Sequence, residues 1–369
     1  MSKDAIRICL IGGSGSGKTA LFSGIYQSLV GGVVNVGSGA NASKITLKVT
    51  SIEMNQNFFT TDSENDDEAI KAAVMAASEM DTNYLIRNYF MDSTSDSTEF
   101  AFELRVDNKR CCDMVITDYA GEILDRPNEA IAEYFDGVCK NIAESDAIII
   151  IADAAAIAET PNNPTAINNK IYSMRVNAMY DAITDVVIDN HRSLTTLIAL
   201  TKTDHPSIPE GFKRANFSEI SRILVERSYE RTHMATLSSG GSFGVIPVSA
   251  IGEGNTNEKN HIKPDADIKQ KNIDVAIIFC IYNSVARIVN EKENQIQALE
   301  AEFKRIKFDL GKKAKAARAE NRAKLAELQE EKRLLSKILG AFAGDTSYFS
   351  RQINEMHLST DSQIGRAEG

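Results

Sequence analysis

The segment GGSGSGKT, residues 12–19, has the glycine and lysine spacing of a loop that binds phosphate. Gly12 and Gly17 allow backbone turns that point consecutive N–H groups at phosphate oxygens. Lys18 is expected to reach the β- and γ-phosphates of a nucleotide, and the hydroxyl of Thr19 is expected to bind Mg²⁺. The other predicted nucleotide-binding residues here are Gly13, Ser14, Gly15, Ser16 and Ala20. A flanking strand pattern and helical pattern disfavour the alternative, a glycine- and serine-rich turn without a ligand.

A second loop, DYAG at residues 118–121, follows an apolar run at 114–117. An aspartate at the carboxyl end of a strand, here Asp118, can hold Mg²⁺, usually through water. The N–H of Gly121 can reach a γ-phosphate, so the loop could sense whether that phosphate is present. Glu122 has two interpretations: its carboxylate positions or polarises the attacking water, or it begins the next helix. Lys18 and Glu122 are therefore the candidate catalytic residues, and Thr19 and Asp118 are the candidate metal ligands.

The segment TKTD, residues 201–204, follows a buried-strand pattern and could select the base of a nucleotide. The carboxylate of Asp204 can accept hydrogen bonds from the ring N–H and the amino group of guanine, whereas adenine lacks this pair of donors. The stem of Lys202 can lie along the base and support the loop. Beside a phosphate-binding loop, this pattern predicts guanine recognition rather than a solvated turn. The remaining predicted nucleotide-binding residues are Gly121, Thr201, Ser249 and Ala250, the last two through their backbone.

Strand and helix patterns alternate along the part of the chain that carries these loops. Apolar runs predict strands at 6–11, 114–117, 145–153, 194–200 and 245–248. Helical patterns occur at 167–190, 216–233 and 273–289. A hairpin is also predicted, with strands at 99–106 and 111–117 and a turn at 107–110. The alternation predicts an α/β fold with a doubly wound, mostly parallel sheet.

GGSGSGKT, DYAGE, TKTD and Ser249-Ala250 occur in the order of the motifs of P-loop GTPases of the TRAFAC class. The span from residue 6 to about 290 resembles that class, with a Ras-like layout. The DYAGE form of the second motif, and the long stretch before it, are similar to bacterial GTPases proposed to act in conflict or signalling systems. The resemblance implies a six-stranded P-loop NTPase sheet, Mg²⁺·GTP at the carboxyl ends of the strands, hydrolysis to GDP and phosphate, and two switch loops.

The chain also departs from that class. Glu122 stands where many relatives carry a glutamine that orients the attacking water. The threonine that would complete the Mg²⁺ shell should lie just before residue 99, where Thr94 and Thr98 are the candidates and Thr82 is a weaker one. No arginine that stabilises the transition state can be named from the sequence, although Arg126 lies near the second switch. We therefore expect slow turnover without a partner or dimerisation.

The segment at about 31–97 is predicted to be an insertion, because it is far longer than a minimal switch segment. It begins with a glycine-rich, flexible stretch and contains a short strand at 44–50. An acidic cluster at 62–68 precedes apolar residues at helical spacing, which predicts a helix start rather than a metal site.

Beyond Asn290 the apolar residues follow heptad spacing. One set is Val289, Ile296, Leu299, Phe303, Ile306 and Leu310, and a second set, one residue out of phase, is Leu325, Leu328, Leu335 and Leu339. The pattern fits one long helix with a phase shift or a helical hairpin, and either a packed arm or an intermolecular coiled coil. We therefore expect a GTP-binding domain at 1–290, a helical arm at 291–340 and a polar tail, poorly ordered, at 341–369. A homodimer through the GTP-binding domain or the arm is left open.

The composition limits the classes of partner. The 369 residues carry a formal charge of −10, so nucleic acid is not expected as a partner of the surface as a whole. Residues 304–333 hold 11 basic and 5 acidic side chains, which permits local contact with acidic lipid or nucleic acid, although such a run is usually a solvated helix face. The most apolar run, 147–158, is too short and too polar to cross a bilayer, so no integral membrane segment is predicted.

We also expect no signal peptide and a cytoplasmic location, with the five cysteines reduced and without a metal role. The patterns together favour a Mg²⁺-dependent GTPase that acts as a switch, with the arm passing its output to an unknown protein effector or regulator. A P-loop ATPase or kinase is one alternative, against which Asp204 argues. The other is a non-hydrolysing, nucleotide-stabilised coiled-coil interaction protein.

Overall fold

A mixed sheet organises the chain in the structure, a computed structural model. The structure describes residues 5–13, 15–29, 34–36, 43–54, 98–119, 129–160, 163–174, 181, 183–185, 193–205, 208, 217, 219–252, 254–255, 263, 268–306 and 312–342. The strands in this part of the chain are β1 (Ile6–Ile11), β2 (Val34–Val36), β3 (Ser43–Met54), β4 (Thr98–Val106), β5 (Lys109–Asp118), β6 (Ala147–Asp153), β7 (Thr195–Thr201) and β8 (Ser242–Pro247).

The sheet order is β2-β3-β4-β5-β1-β6-β7-β8. The strands from β5 to β8 pair in parallel, whereas β2, β3 and β4 join through antiparallel pairs. The α/β fold and the mostly parallel arrangement of the central strands are therefore as predicted, and they are consistent with a P-loop GTPase-like fold.

The prediction of six strands is wrong, because the described residues contribute eight. The two additional strands, β2 and β3, come from the start of the predicted insertion. The strand expected at 44–50 is longer than predicted, since β3 pairs with β4 from Ile45 opposite Val106 to Met54 opposite Thr98. β2 lies in the stretch expected to be flexible.

The predicted hairpin forms from β4 and β5, but its turn is tighter than expected. Lys109 and Arg110, assigned to the turn from the sequence, pair with Val106 and Arg105 instead. Asp107 and Asn108 alone form the turn, with positive φ values of 49° and 64°. Such a turn has the twist that matches the two flanking strands.

Helices cover both faces of the sheet. They are α1 (Lys18–Leu29), α2 (Glu129–Glu144), α3 (Ala154–Ala158), α4 (Pro164–Met174), α5 (Glu230–Ser238), α6 (Ile273–Ile306) and α7 (Lys312–Phe342), and a π-helical turn spans Leu224–Ser228. One buried cluster joins Ile8 and Leu10 of β1 to α1, α6 and α7. The other joins Cys9 and Ile11 to α2, α3 and α4. Alternate residues of β1 thus enter opposite cores, as expected for a central strand.

The two long helices, α6 and α7, form an antiparallel hairpin. Lys292 pairs with Glu331, 2.5 Å away, while Arg322 lies 5.9 Å from the ring centre of Phe303, so residues later in α6 meet residues earlier in α7. Leu335, Ile338 and Ala341 then pack into the core shared with α1 and the sheet. Of the two arrangements that the heptads left open, the chain adopts the hairpin, and the polar tail lies outside the described residues from 343 onward.

α6 is anchored in the body of the protein before it enters the hairpin. Arg287 forms an ion pair with Asp146, which precedes β6 and also accepts a hydrogen bond from the N–H of Arg7 at 2.9 Å. Ile273–Arg305 is long and apolar enough to span a membrane by composition, but 56% of its most apolar window is buried within this chain. α6 therefore has the features of a core helix at its start and of an arm at its end.

Candidate functional site

The predicted phosphate-binding loop, residues 12–19 and called the phosphate loop below, lies between the end of β1 and the first turn of α1. Gly17 has a φ of 96°, outside the range that side chains readily adopt. A Cβ at Gly12 would lie 2.9 Å from the Cβ of Ile151 and 2.8 Å from Oγ of Ser16. The loop thus keeps its backbone accessible by excluding side chains at these two positions. α1 begins at Lys18, so the positive end of its dipole lies at the loop.

Lys18 is nearly buried, with 5% of its surface exposed. Its Nζ donates hydrogen bonds to the carbonyls of Gly12 at 2.9 Å and Gly13 at 2.8 Å. The ammonium group is therefore held against the loop whose N–H groups are predicted to bind phosphate. Thr19 and Ala20 lie in the first turn of α1, whereas Ser14 is outside the described residues.

The base loop, residues 201–204, is tied directly to the phosphate loop. Nζ of Lys202 donates to the carbonyl of Gly15 at 2.7 Å, and the hydroxyl of Thr201 donates to the carbonyl of Ser16 at 2.6 Å. Lys202 has a φ of 55°, which lets its stem turn back toward the phosphate loop. Two motifs separated by about 185 residues are thus in direct contact.

Asp153 completes this connection and was not identified from the sequence. Its Oδ2 accepts a hydrogen bond from Nζ of Lys202 at 2.6 Å, and its Oδ1 accepts one from the N–H of Ala156 at 3.0 Å. One carboxylate therefore caps α3 and positions the lysine of the base loop. The available signal was its place as the polar residue that ends the apolar run of β6.

Asp204 is half-buried and makes no hydrogen bond or ion pair with any residue that the structure describes. The neighbouring Thr203 donates from its hydroxyl to the carbonyl of Val248 at 3.1 Å, which connects the base loop to the segment after β8. The carboxylate predicted to read the base is thus left available, while the residues around it are fixed.

Ser249 and Ala250 differ in what they can offer a base. The N–H and carbonyl of Ser249 both pair with Lys271, and its hydroxyl accepts a hydrogen bond from the N–H of Gly252 at 2.9 Å. The N–H of Ala250 has no partner among the described residues. The backbone donor expected from this pair is therefore available on Ala250, and Ser249 supports the loop.

Asp118 ends β5 with 3% of its surface exposed, next to Leu10 of β1 in the sheet register. Burial, and secondly the charge of Asp118, raise the pKa of the Cys9 thiol well above its ordinary value, so this cysteine stays protonated. The described residues contain no cluster of three or more His, Cys, Asp or Glu side chains that could hold a metal. One carboxylate fits Mg²⁺, which binds proteins through one or two carboxylates and takes phosphate and water as its other ligands.

Thr98 is the first residue of β4 and pairs with Asp118 in the β4–β5 register. Of the three switch-threonine candidates, Thr98 therefore lies beside the predicted metal ligand. Thr82, Thr94, Gly121, Glu122 and Arg126 are outside the described residues, so their roles stay predictions.

Comparisons with known proteins give little further information. No protein-family model matches the sequence, and no curated protein matches it either. Among solved structures, a chain of the signal recognition particle receptor SRb-GTP/SRX complex from Chaetomium thermophilum is similar at 14% identity and a TM-score of 0.37, over 69% of this chain and 94% of that one. A similarity this low supports no conclusion about function, which must come from the site itself.

Proposed function

We propose that this chain binds Mg²⁺·GTP at the carboxyl ends of β1, β5 and β7 and hydrolyses it to GDP and phosphate. The observation that carries the proposal is the union of the phosphate loop and the base loop through Lys202 and Thr201. In this proposal the Asp204 carboxylate serves one end of the site and Lys18 serves the other.

Lys18 and the start of α1 bind the triphosphate in this proposal. The ammonium group exchanges the carbonyls of Gly12 and Gly13 for oxygens of the β- and γ-phosphates, which are stronger acceptors because they are charged. Asp118 and Thr19 would hold Mg²⁺, which would supply positive charge beside the phosphates. Thr98 is our choice for the threonine that senses this metal.

In this proposal the base loop, together with Ala250, selects guanine. The Asp204 carboxylate accepts hydrogen bonds from the ring N–H and the amino group, and the N–H of Ala250 donates to the guanine carbonyl oxygen. Adenine presents an amino group where guanine has the carbonyl, and it lacks the ring N–H, so both Asp204 and Ala250 would lose their partners. Discrimination against adenine is strong, because binding adenine would leave these polar groups unpaired.

Hydrolysis follows from positioning and charge neutralisation. The oxygen of water bonds to the γ-phosphorus, the bond to the β–γ bridging oxygen breaks, and GDP leaves while the proton of water passes to the released phosphate. Lys18 stabilises charge on the leaving oxygen. Glu122 either orients the water or begins the helix after the second loop, and the first role would make turnover slow because a carboxylate adds negative charge beside the γ-phosphate.

The test measures phosphate release from radiolabelled GTP with Mg²⁺, comparing the chain with Lys18→Ala. We expect release that is at least a hundredfold faster in the unsubstituted chain, and GDP binding that ATP does not displace. Asp204→Asn should lose affinity for GTP and gain affinity for XTP, because an amide can donate to the carbonyl that xanthine carries in place of the amino group. Equal release by both proteins would rule out hydrolysis at this site, and efficient displacement by ATP would favour the ATPase or kinase alternative.

A second candidate function is a nucleotide-stabilised interaction protein that does not hydrolyse GTP. The observation that favours it is the hairpin of α6 and α7, which is attached to the nucleotide site through Lys271 and the start of α6. In either case we propose a cytoplasmic switch whose output passes through the arm to a protein effector. Tight GTP binding without phosphate release, even with the chain concentrated, would select the second candidate.

A further inference from the structure

The tip of the arm, residues 304–324, has a charge opposite to that of the rest of the molecule. It contains nine basic and two acidic residues, a formal charge of +7, whereas the remaining 348 residues contain 32 basic and 49 acidic ones, a formal charge of −17. These 21 residues therefore form a positively charged surface on a protein whose net charge is negative.

The hairpin carries this surface away from the acidic body. Arg287 of α6 pairs with Asp146, just before β6, and α6 continues from there to Ile306. At 1.5 Å per residue, this extension is roughly 28 Å long. That distance is about three Debye lengths at physiological salt, so the repulsion between the body and a polyanion at the tip is largely screened.

Ion pairing differs between the two ends of the arm. Near the body, Glu291, Glu293, Glu330 and Glu331 are each paired with Arg or Lys. At the distal end, Lys304, Arg305 and Lys324 are exposed and form no ion pair with any described residue. Arg322 is exposed as well, and its guanidinium lies over the ring of Phe303, a contact that orients its charge without neutralising it. These four cations are thus available to an external anion.

The described side chains of the arm favour a phosphate backbone over a membrane surface or single-stranded nucleic acid. A membrane-surface helix buries an apolar face, and single-stranded nucleic acid is bound by stacking on exposed aromatic rings. Within the described part of the arm, no large apolar or aromatic residue is exposed; the exposed examples elsewhere are Tyr172 and Met234. We propose that Lys304, Arg305, Arg322 and Lys324 form a binding surface for the phosphate backbone of a nucleic-acid duplex.

The test uses the full chain and fluorescence anisotropy with two labelled 20-base-pair probes, one of RNA and one of DNA, between 50 and 200 mM KCl. The tip variant is Lys304→Gln with Arg305→Gln and Lys324→Gln, which leaves Arg322 on Phe303. The matched control removes three exposed cations from the body: Lys109→Gln, Arg227→Gln and Arg231→Gln. Both triple variants change the net charge equally, and thermal melts followed by circular dichroism establish that each is folded.

We expect the tip variant to bind at least tenfold more weakly at 100 mM KCl, and the slope of log K against log salt to fall by about 2–3, since each lost phosphate contact removes about 0.9. The control should change affinity less than twofold. Binding to either duplex that is weakened by the tip variant and not by the control supports the proposal. A preference for the RNA or the DNA probe identifies which form of duplex the surface binds. Equal weakening by both variants overturns it, as does binding to vesicles that contain phosphatidylserine without binding to either duplex.

Discussion

Lysine side chains hold together two regions of this molecule, the nucleotide loops and the helical arm, but their partners differ. Lys18 and Lys202 donate to backbone carbonyls of the phosphate loop. Lys292 and Lys332 instead bind carboxylates across the interface of α6 and α7. Carbonyl partners can be exchanged for the charged oxygens of a ligand, whereas the ion pairs of the arm are already satisfied. The loops are therefore built to respond to a ligand, and the arm is built to keep its shape.

The largest expected effect tests whether the arm is part of the folded core. Ile338 is fully buried at the end of α7. Ile338→Ala should lower the free energy of unfolding by about 3 kcal/mol, the usual cost of a cavity at such a site. Urea denaturation measures the change, with truncation of the exposed Glu327 to alanine as the control. GDP affinity of the folded variant should be unchanged, and a loss of affinity would mean that the two regions are not separable.

The next effect belongs to the phosphate loop. Gly17→Ala forces a side chain into a φ of 96°, which costs about 2 kcal/mol and should weaken binding of a fluorescent GDP analogue about thirtyfold. Gly15→Ala is the matched substitution, because its φ of 66° lies in the left-handed helical region and no atom lies within 4 Å of the added Cβ. About a fivefold loss is expected there. Equal losses would show that the backbone at Gly17 has no special role.

A smaller effect is expected where the two loops are connected. Asp153→Asn keeps an oxygen for the N–H of Ala156 but removes the charge that holds Lys202. GDP should dissociate about tenfold faster, which corresponds to about 1.4 kcal/mol for a charged hydrogen bond. Asp153→Ala should show the same dissociation rate and an additional loss of stability of about 1 kcal/mol, because it also removes the cap of α3. Unchanged dissociation in both variants would leave Asp153 with a capping role alone.

The smallest expected effect concerns the ion pair between Glu293 and Lys332 in the arm, and it depends on pH. Hydrogen bonds from Lys332 and then from Gln297 lower the pKa of Glu293 below 4.5. The ion pair therefore stabilises the fold above the pKa of an unfolded glutamate, and this contribution is lost as the pH falls through the lower, folded value. Both side chains are half-exposed, so Lys332→Gln should change Tm by only about 1 °C at pH 7 and by less at pH 3.5. A shift of several degrees would contradict the small contribution expected of an exposed pair.

The sequence alone predicted the central strands correctly, because buried strands depend on local patterns, and from local patterns it also predicts the nucleotide loops. The runs that became β1, β6 and β7 are mostly apolar, as is typical of buried parallel strands. β2 was missed because three residues between glycines carry no periodicity. The hairpin of α6 and α7 was left undecided, since the phase of a heptad repeat is the same for a hairpin and for a continuous helix that changes register.

Asp153 could not be assigned from the sequence for a different reason. Its role depends on Lys202, 49 residues away, and on the positive φ that brings the ammonium group back to the phosphate loop. Likewise, the contrast between Ser249 and Ala250 depends on Lys271, whose backbone occupies both hydrogen-bonding groups of Ser249. Long-range pairings of this kind are set by the packing of the sheet and its loops, which no local pattern encodes.

The 34 residues of α6 connect the proposed base site to the tip of the arm. The helix begins two residues after Lys271, which is bonded to the segment proposed to contact the base, and it ends at the basic tip. The part beyond Arg287, which is paired with Asp146, is roughly 28 Å long at 1.5 Å per residue, so a bend of about 5° at Arg287 would displace Ile306 by about 2.5 Å. The anchor at Arg287 thus sets how far the tip can move relative to the body.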